Sequence, residues 1–321
     1  MFKTAFFGIA ATAVMATGAQ AQTLEWTAGQ VGGGWFGQAS GMAALVHEAD
    51  PEINIRVVPG GGTANPTKIQ QGTSQIGTGL DIFLKAAYEG TGIYEGAPHD
   101  KLRLIGMSFS DIYLHLYAGA DAEIQDMDTL FKEGEDISIA VTKVGSSDEQ
   151  TFRYLMDYYD TSYEDLNDRG WKVNFVEYSS ASSQFGDGVV DYVFNALGLP
   201  GAAIVEATQA RDANFIEFPE EVLASMGDTY GYSSKPLPAG TYTGQDEEVP
   251  TLVMATALAA SSDLSDDVAY EMIKTFCEKP DQMVAIHASI AVFECETAGG
   301  SLPVPLHPGV EKYLAEQGYT N

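Results

Sequence analysis

Residues 60–81, GGGTANPTKIQQGTSQIGTGLD, limit the possible folds more than any other stretch. The apolar run Ile55-Arg56-Val57-Val58 enters them through Pro59 and three glycines, and a helix is expected from about Thr63 to Gly72. A second glycine turn then leads into the strand pattern Ile76-Gly77-Thr78-Gly79-Leu80. A strand that ends in a glycine turn at a helix start presents free backbone N–H groups and the positive dipole end to an anion. The arrangement recurs at Gly32-Gly33-Gly34-Trp35-Phe36 and at Val144-Gly145-Ser146-Ser147. Three such starts without a catalytic motif point to a binding protein.

At 321 residues the chain exceeds a usual single domain, so two lobes are expected. Apolar residues form 45% of it, enough for a core in each. The N-terminus carries Lys3, an apolar run over 5–14 and Ala19-Gln20-Ala21, which reads as a secretory signal over residues 1–21 with an Ala-x-Ala cleavage site. No later segment reads as a membrane span, so an exported chain without direct membrane insertion is expected. Net charge is −29, and loss of Lys3 with the signal makes it −30. That field disfavours nucleic acid and anionic membrane surfaces as partners.

Apolar periodicity predicts strands at 23–28, 53–58, 76–80, 102–107 and 112–117, with helices over 36–48 and 82–89. A second run alternates strands at 137–142, 173–178, 192–196 and 214–218 with helices at 126–132, 147–158, 180–185 and 200–210. Within it, Ser147 and Gln150 have the spacing of a capping box, and Pro200 stands near a helix start. Residues 230–249 read as a long loop or return hinge, followed by a buried strand at 251–259 and helices at 266–277, 280–288 and 308–318. This alternation implies parallel sheets covered by helices, in a hinged two-lobe α/β molecule with its cleft at the strand C-terminal ends. The expected division is 22–112 with 236–321 for lobe I and 113–235 for lobe II. Cys277 and Cys295 enclose a modest loop; export permits a disulfide, the alternative being two separate thiols.

Five stretches resemble the TAXI family, the solute receptors of TRAP transporters. Gly33-Gly34-Trp35-Phe36 is similar to its GGxYY opening, and 61–81 to its GSxENLxxLxxGxxDxxxxQSD block. Val144-Gly145-Ser146-Ser147-Asp148-Glu149 is similar to GxxGSGTE, residues 191–200 to DAxFxxxGxP, and 303–318 to IPLHPGAxxYxxE. The resemblance implies a monomeric, type II-like periplasmic-binding-protein fold with no cofactor. It also implies a small organic anion as ligand, a carboxylate such as glutamate or 2-oxoglutarate, handed to a TRAP membrane permease. Carried over by position, the ligand-facing candidates are Trp35, Phe36, Gly62, Thr63, Asn65, Asp81, Ser146, Ser147 and Asn195. Trp35-Phe36 depart from the family's tyrosine pair, and Asn195 places an amide where the family is apolar.

Thr63 and Ser147 are also natural N-caps, Asp81 is a natural cap for a helix at Ile82, and Trp35 and Phe36 are natural core residues. Arg103, Arg153 and Arg169 are candidate cleft cations outside any motif. The histidines 47, 99, 115, 287 and 307 are isolated, without HExxH or Cys/His spacing, so no metal site is expected; His307 reads as a polar turn before the last helix. A G-x-S-x-G elbow is absent, which argues against an exported hydrolase. A sensor subunit feeding a membrane kinase or chemoreceptor would share the same lobes and differ only in its partner.

Overall fold

The computed structural model describes residues 23–31, 33–300 and 304–319; the signal segment, Gly32 and Pro303 lie outside them. The chain begins β1 (Leu24–Thr27), α1 (Gly34–Ala49), β2 (Ile55–Val58), α2 (Asn65–Gln70), β3 (Ile76–Leu80), α3 (Asp81–Glu89) and β4 (Leu102–Gly106). It continues with β5 (Asp111–Gly119), α4 (Met127–Glu133), β6 (Ser138–Thr142), α5 (Ser147–Tyr158), α6 (Tyr163–Asp168), β7 (Lys172–Val176) and α7 (Tyr178–Gly186). After β8 (Tyr192–Leu197) come α8 (Ala202–Ala210), β9 (Ala213–Phe215), α9 (Glu220–Tyr230) and β10 (Ser233–Leu237). The chain closes with β11 (Val249–Ser261), α10 (Asp266–Glu278), α11 (Pro280–Ile286) and α12 (Pro308–Gln317).

The strands run in the order β2-β1-β3-β11-β5-β8-β6-β7, with β4 and β10 also on β11 and β9 on β5. β1 pairs parallel with β2 and β3, and β6 with β7 and β8. The expected parallel sheets are therefore mixed. β11 runs antiparallel to β3, β4, β5 and β10, and β5 runs antiparallel to β8. The reversed strands are those that carry the chain between halves. β3 is buried along its whole length, as in a strand covered on both faces, and its one polar side chain, Thr78, accepts from Trp26 Nε1 at 2.9 Å.

β11 belongs to both halves. Its residues Thr256–Ala260 pair with β3, whereas Val253–Ala255 pair with β5 and Val249–Val253 with β10. Its change of partner from β5 to β3 falls between Ala255 and Thr256. Most of the expected 230–249 loop instead holds β10 and the turn that brings β11 back. The outward crossing, residues 107–110, lies beside this point. Ser110 Oγ donates to Thr256 Oγ1 at 2.9 Å, Thr256 N to Ser110 O at 2.8 Å, and Phe109 N to Thr256 O at 3.0 Å. These hydrogen bonds hold the two crossing segments side by side.

The core is divided accordingly. Trp26, Met42, Val46, Ile105, Met272 and Phe276 pack under the first half-sheet. Leu116, Ile139, Phe152, Phe194 and Met254 pack in the second, with Leu80 and Phe83 reaching in from the first. Cys277 and Cys295 form a disulfide with Cα atoms 5.5 Å apart, inside the usual range. It ties the end of α10 to the segment that follows α11.

Two local expectations shift. The cap of α5 is Ser146, whose Oγ accepts from Glu149 N at 3.1 Å, one residue before the expected Ser147. Pro200 precedes α8 by two residues, with Gly201 as its N-cap. α6 and α9 were not anticipated; α6 has six residues and one buried apolar side chain, Leu166, whereas α9 carries Val222, Leu223, Met226 and Tyr230 at helical spacing, a signal the sequence reading passed over.

Candidate functional site

A cavity of about 760 Å³ opens between the two halves. The first half supplies the β1–α1 turn with Trp35 and Gln38, the Pro59–Gly62 turn and Lys68. The second supplies residues 143–148, Tyr178 and the β8–α8 turn. Helix starts converge on it because every strand that points at the cleft ends in a turn into a helix. In α1 and α5 the first N–H groups have no partner inside the helix. Phe36 and Gly37 N–H turn back to Gly33 O, leaving Gly34 and Trp35 N–H directed outward from the helix start. In α5, Ser146 Oγ satisfies Glu149 N, while Ser147 and Asp148 N–H lie ahead of it at the cavity wall.

The candidate residues divide by what their side chains touch. Trp35 lines the cavity, and its Nε1–H donates to Thr256 Oγ1 at 3.2 Å, linking the wall to β11. Gly62, Ser146 and Ser147 also line it. Phe36, Thr63, Asn65, Asp81 and Asn195 are not among its lining residues.

Asn65 is buried and saturated. Its Oδ1 accepts from Thr27 Oγ1 (2.8 Å) and Gly61 N (3.0 Å), and its Nδ2 serves Ala28 O and Thr78 O (both 2.7 Å) and Thr27 O (3.3 Å). It fastens the Gly60–Gly62 turn to the ends of β1 and β3. Gly60 has to be glycine here, since a Cβ would lie 2.2 Å from Asn65 Oδ1.

Thr63 joins the two halves: its Oγ1 donates to Gly145 O, while its own carbonyl accepts from Tyr94 Oη at 2.6 Å. It is not a helix cap, because α2 begins at Asn65 after Ala64. Asn195 lies buried on β8 opposite His115, and its side-chain amide has no hydrogen-bond partner among the described residues.

Asp81 opens α3, where its Oδ1 accepts from Ile82 N at 2.9 Å. Burial raises its carboxyl pKa to about 6, assisted by the like charge of Asp111 and opposed by N–H groups of Ile82 and Ala255. Because the folded value is raised, the stability it contributes is complete below about pH 4 and is lost as pH rises through 6. Between pH 7.5 and 4.5 the wild type is expected to gain on the order of 2 kcal/mol over Asp81→Asn, which keeps the acceptor. Parallel stability–pH curves for the two proteins in urea titrations would refute this.

Sequence reasoning missed Lys68, Lys143, Asp148, Tyr178 and His287, all cavity-lining. Lys143 is paired with Glu177, but Lys68 Nζ is held only by neutral oxygens, Pro59 O at 3.0 Å and Thr27 Oγ1 at 3.1 Å. The expected cations are engaged elsewhere: Arg153 with Glu149, Arg169 with Phe131 O and Arg103 with Asp100 O. Asp148 directs Oδ2 to Ala196 N (2.8 Å) and Tyr178 Oη (3.0 Å), and Oδ1 accepts from Ser147 Oγ (3.2 Å). Burial raises its pKa, and those three donors oppose the shift. Helical position could have revealed Lys68, which lies on the same short helix as Asn65; nothing local marks the others.

His307 caps α12 and is fully buried, with Nε2 at 3.1 Å from Leu264 O, in the structural role expected. Among the described residues no group of three or more His, Cys, Asp or Glu side chains is placed to hold a metal ion. Nor is any described helix long and apolar enough to cross a membrane.

Comparison with known proteins places this geometry. Residues 26–318 match the NMT1-like family from the first strand to the last helix. The chain belongs to that family. Among solved structures it is similar to MatC (Rpa3494) from Rhodopseudomonas palustris, described with bound malate, at 14% identity and a TM-score of 0.54 over 92% of this chain and 97% of that one. The periplasmic binding protein BugD matches at 11% identity and TM-score 0.49, again over 92% and 97%. The aliphatic sulphonate binding protein SsuA from Escherichia coli matches at 13% and 0.43, over 91% and 78%. The fold is the two-lobe α/β fold of periplasmic binding proteins.

Proposed function

We propose that this chain is the periplasmic receptor of a TAXI-type TRAP transporter, closing on a small organic anion and delivering it to the membrane permease. The observation that carries the reading is the pairing of Lys68, a cation without an acidic partner among the described residues, with the open first turns of α1 and α5 around one cavity. Dipole ends and backbone N–H groups at such turns favour an oxyanion, and an enclosed site strengthens them against the chain's acidic field. A cavity of about 760 Å³ suits a small ligand with water. The middle of the wall, Ile112, Ala196 and Leu197, is apolar and fits a short carbon skeleton. The malate described in MatC supports a carboxylate, and the five ordered motifs support the transporter type.

The test is native mass spectrometry of the mature protein followed by thermal shifts with malate, 2-oxoglutarate and glutamate, and with putrescine as a cationic control. A ligand at a hundredfold excess over its Kd stabilises the fold by about 2.7 kcal/mol. One carboxylate is expected to produce such a shift, weakened about tenfold in Kd by Lys68→Gln, at the usual value of a charge-assisted hydrogen bond. No shift with any of the three acids, or an equal shift with putrescine, would sink the carboxylate reading.

A further inference from the structure

Between the two cysteines of the disulfide the chain leaves α11 and presents His287 to the cavity. Its Nδ1 is 3.2 Å from Ser289 N and 2.8 Å from Ser289 Oγ. A backbone N–H can only donate, so Nδ1 is the acceptor, and the neutral ring must carry its proton on Nε2. Ser289 Oγ in turn accepts from Gln38 Nε2 at 2.9 Å, which leaves its own hydrogen for Nδ1. The tautomer is thus fixed from two directions.

Nε2 has no hydrogen-bond partner among the described residues. It lies 3.5 Å from the point where a Cβ on Gly34 would stand, which puts this nitrogen beside the start of α1. Ser289 packs across the cleft as well, its Cβ 3.4 Å from the corresponding point on Gly198 in the β8–α8 turn. The ring therefore stands where the two halves meet, next to the dipole end that attracts an oxyanion. Capping the short turn after it uses only Nδ1. That role leaves Nε2–H unexplained.

We propose that His287 is a specificity-determining ligand contact, its Nε2–H donating to a carboxylate oxygen held at the start of α1. The assignment rests on the carboxylate reading above. It predicts selection for ligands with an acceptor oxygen at this end and against those with an ammonium or a second donor there.

The experiment uses the mature protein labelled with ¹⁵N-histidine, with the His287 resonances identified by their loss in His287→Gln. At neutral pH the ring is expected to show a protonated Nε2 and a bare Nδ1. Titration with malate, 2-oxoglutarate or glutamate is expected to move the Nε2 proton downfield. His287→Ala is expected to weaken binding of the responding acid by about tenfold to a hundredfold, the usual range for a hydrogen bond to a charged group. His287→Gln, which keeps a donor, is expected to recover most of the loss, and melting of the unliganded variants checks that they fold. A ring protonated on Nδ1, or an acid that binds the wild type and His287→Ala equally, overturns the contact while sparing the carboxylate reading. Failure of all three acids to bind the wild type overturns both.

Discussion

Asn65→Leu is expected to lower the unfolding free energy by about 4 kcal/mol, read as a drop in the urea midpoint without change in slope. The amide makes five hydrogen bonds at a buried position. Leucine would leave Thr27 O, Ala28 O and Thr78 O without their side-chain donor and Gly61 N without its acceptor. Each buried polar group stranded in this way costs about 1–3 kcal/mol, with water recovering part. Leucine is close in volume, so a cavity contributes little. Asn65→Asp keeps both acceptor bonds but puts a carboxylate against three carbonyl oxygens, and is expected to be at least as damaging at neutral pH. A ligand residue would behave differently, since its removal spares the apo fold and weakens only binding. Normal stability of Asn65→Leu together with lost affinity would return Asn65 to the ligand.

Gly62→Val is expected to show the opposite pattern, keeping most of the apo stability while weakening ligand binding about 10- to 100-fold. A Cβ on Gly62 would lie 3.1 Å from both Cβ and Oγ of Ser147 across the cleft, and 3.2 Å from Leu80 Cδ1. Valine adds two methyl groups to that approach. Its backbone is not in the left-handed region, so the cost is one of packing. Overpacking of this kind costs about 1–3 kcal/mol; the Leu80 share is felt in every form and the Ser147 share only when the two turns meet, so binding loses more than apo stability. Titration calorimetry would read the affinity, and small-angle scattering a more open apo form. The double variant Gly62→Val/Ser147→Gly is expected to recover affinity, because removal of the Ser147 side chain reopens the space. Equal affinity in wild type and Gly62→Val would mean that closure does not bring these turns together in solution.

Both predictions concern one 22-residue stretch, yet its residues act in different ways. The alternation of strands, glycine turns and helices was legible because strand and helix periods are local. Most element centres accordingly fall where apolar spacing puts them. Strand direction was not legible: a buried apolar run has the same composition whether its neighbour is parallel or antiparallel. β11 illustrates this, since one uniformly apolar segment serves both halves. The motifs likewise located the turns around the cleft but not the aim of each side chain. Thr63 and Asn65 are two positions apart; one reaches Gly145 across the cleft and the other turns into the core. His287 and Lys143 lie in stretches whose spacing carries no signal, and the cavity assembles them from sites far apart in the chain.

By itself, therefore, the sequence determined the two-lobe α/β class, the three glycine-turn helix starts and the absence of a nucleophile motif. Each of these depends on contacts within a few residues, where period and glycine placement act directly. The tertiary structure alone decided the change of β11 from β5 to β3 at Ala255/Thr256 and the division of side chains between cavity and core. Those depend on which distant segments share a face, a choice made by packing of the whole chain and written in no single stretch of it.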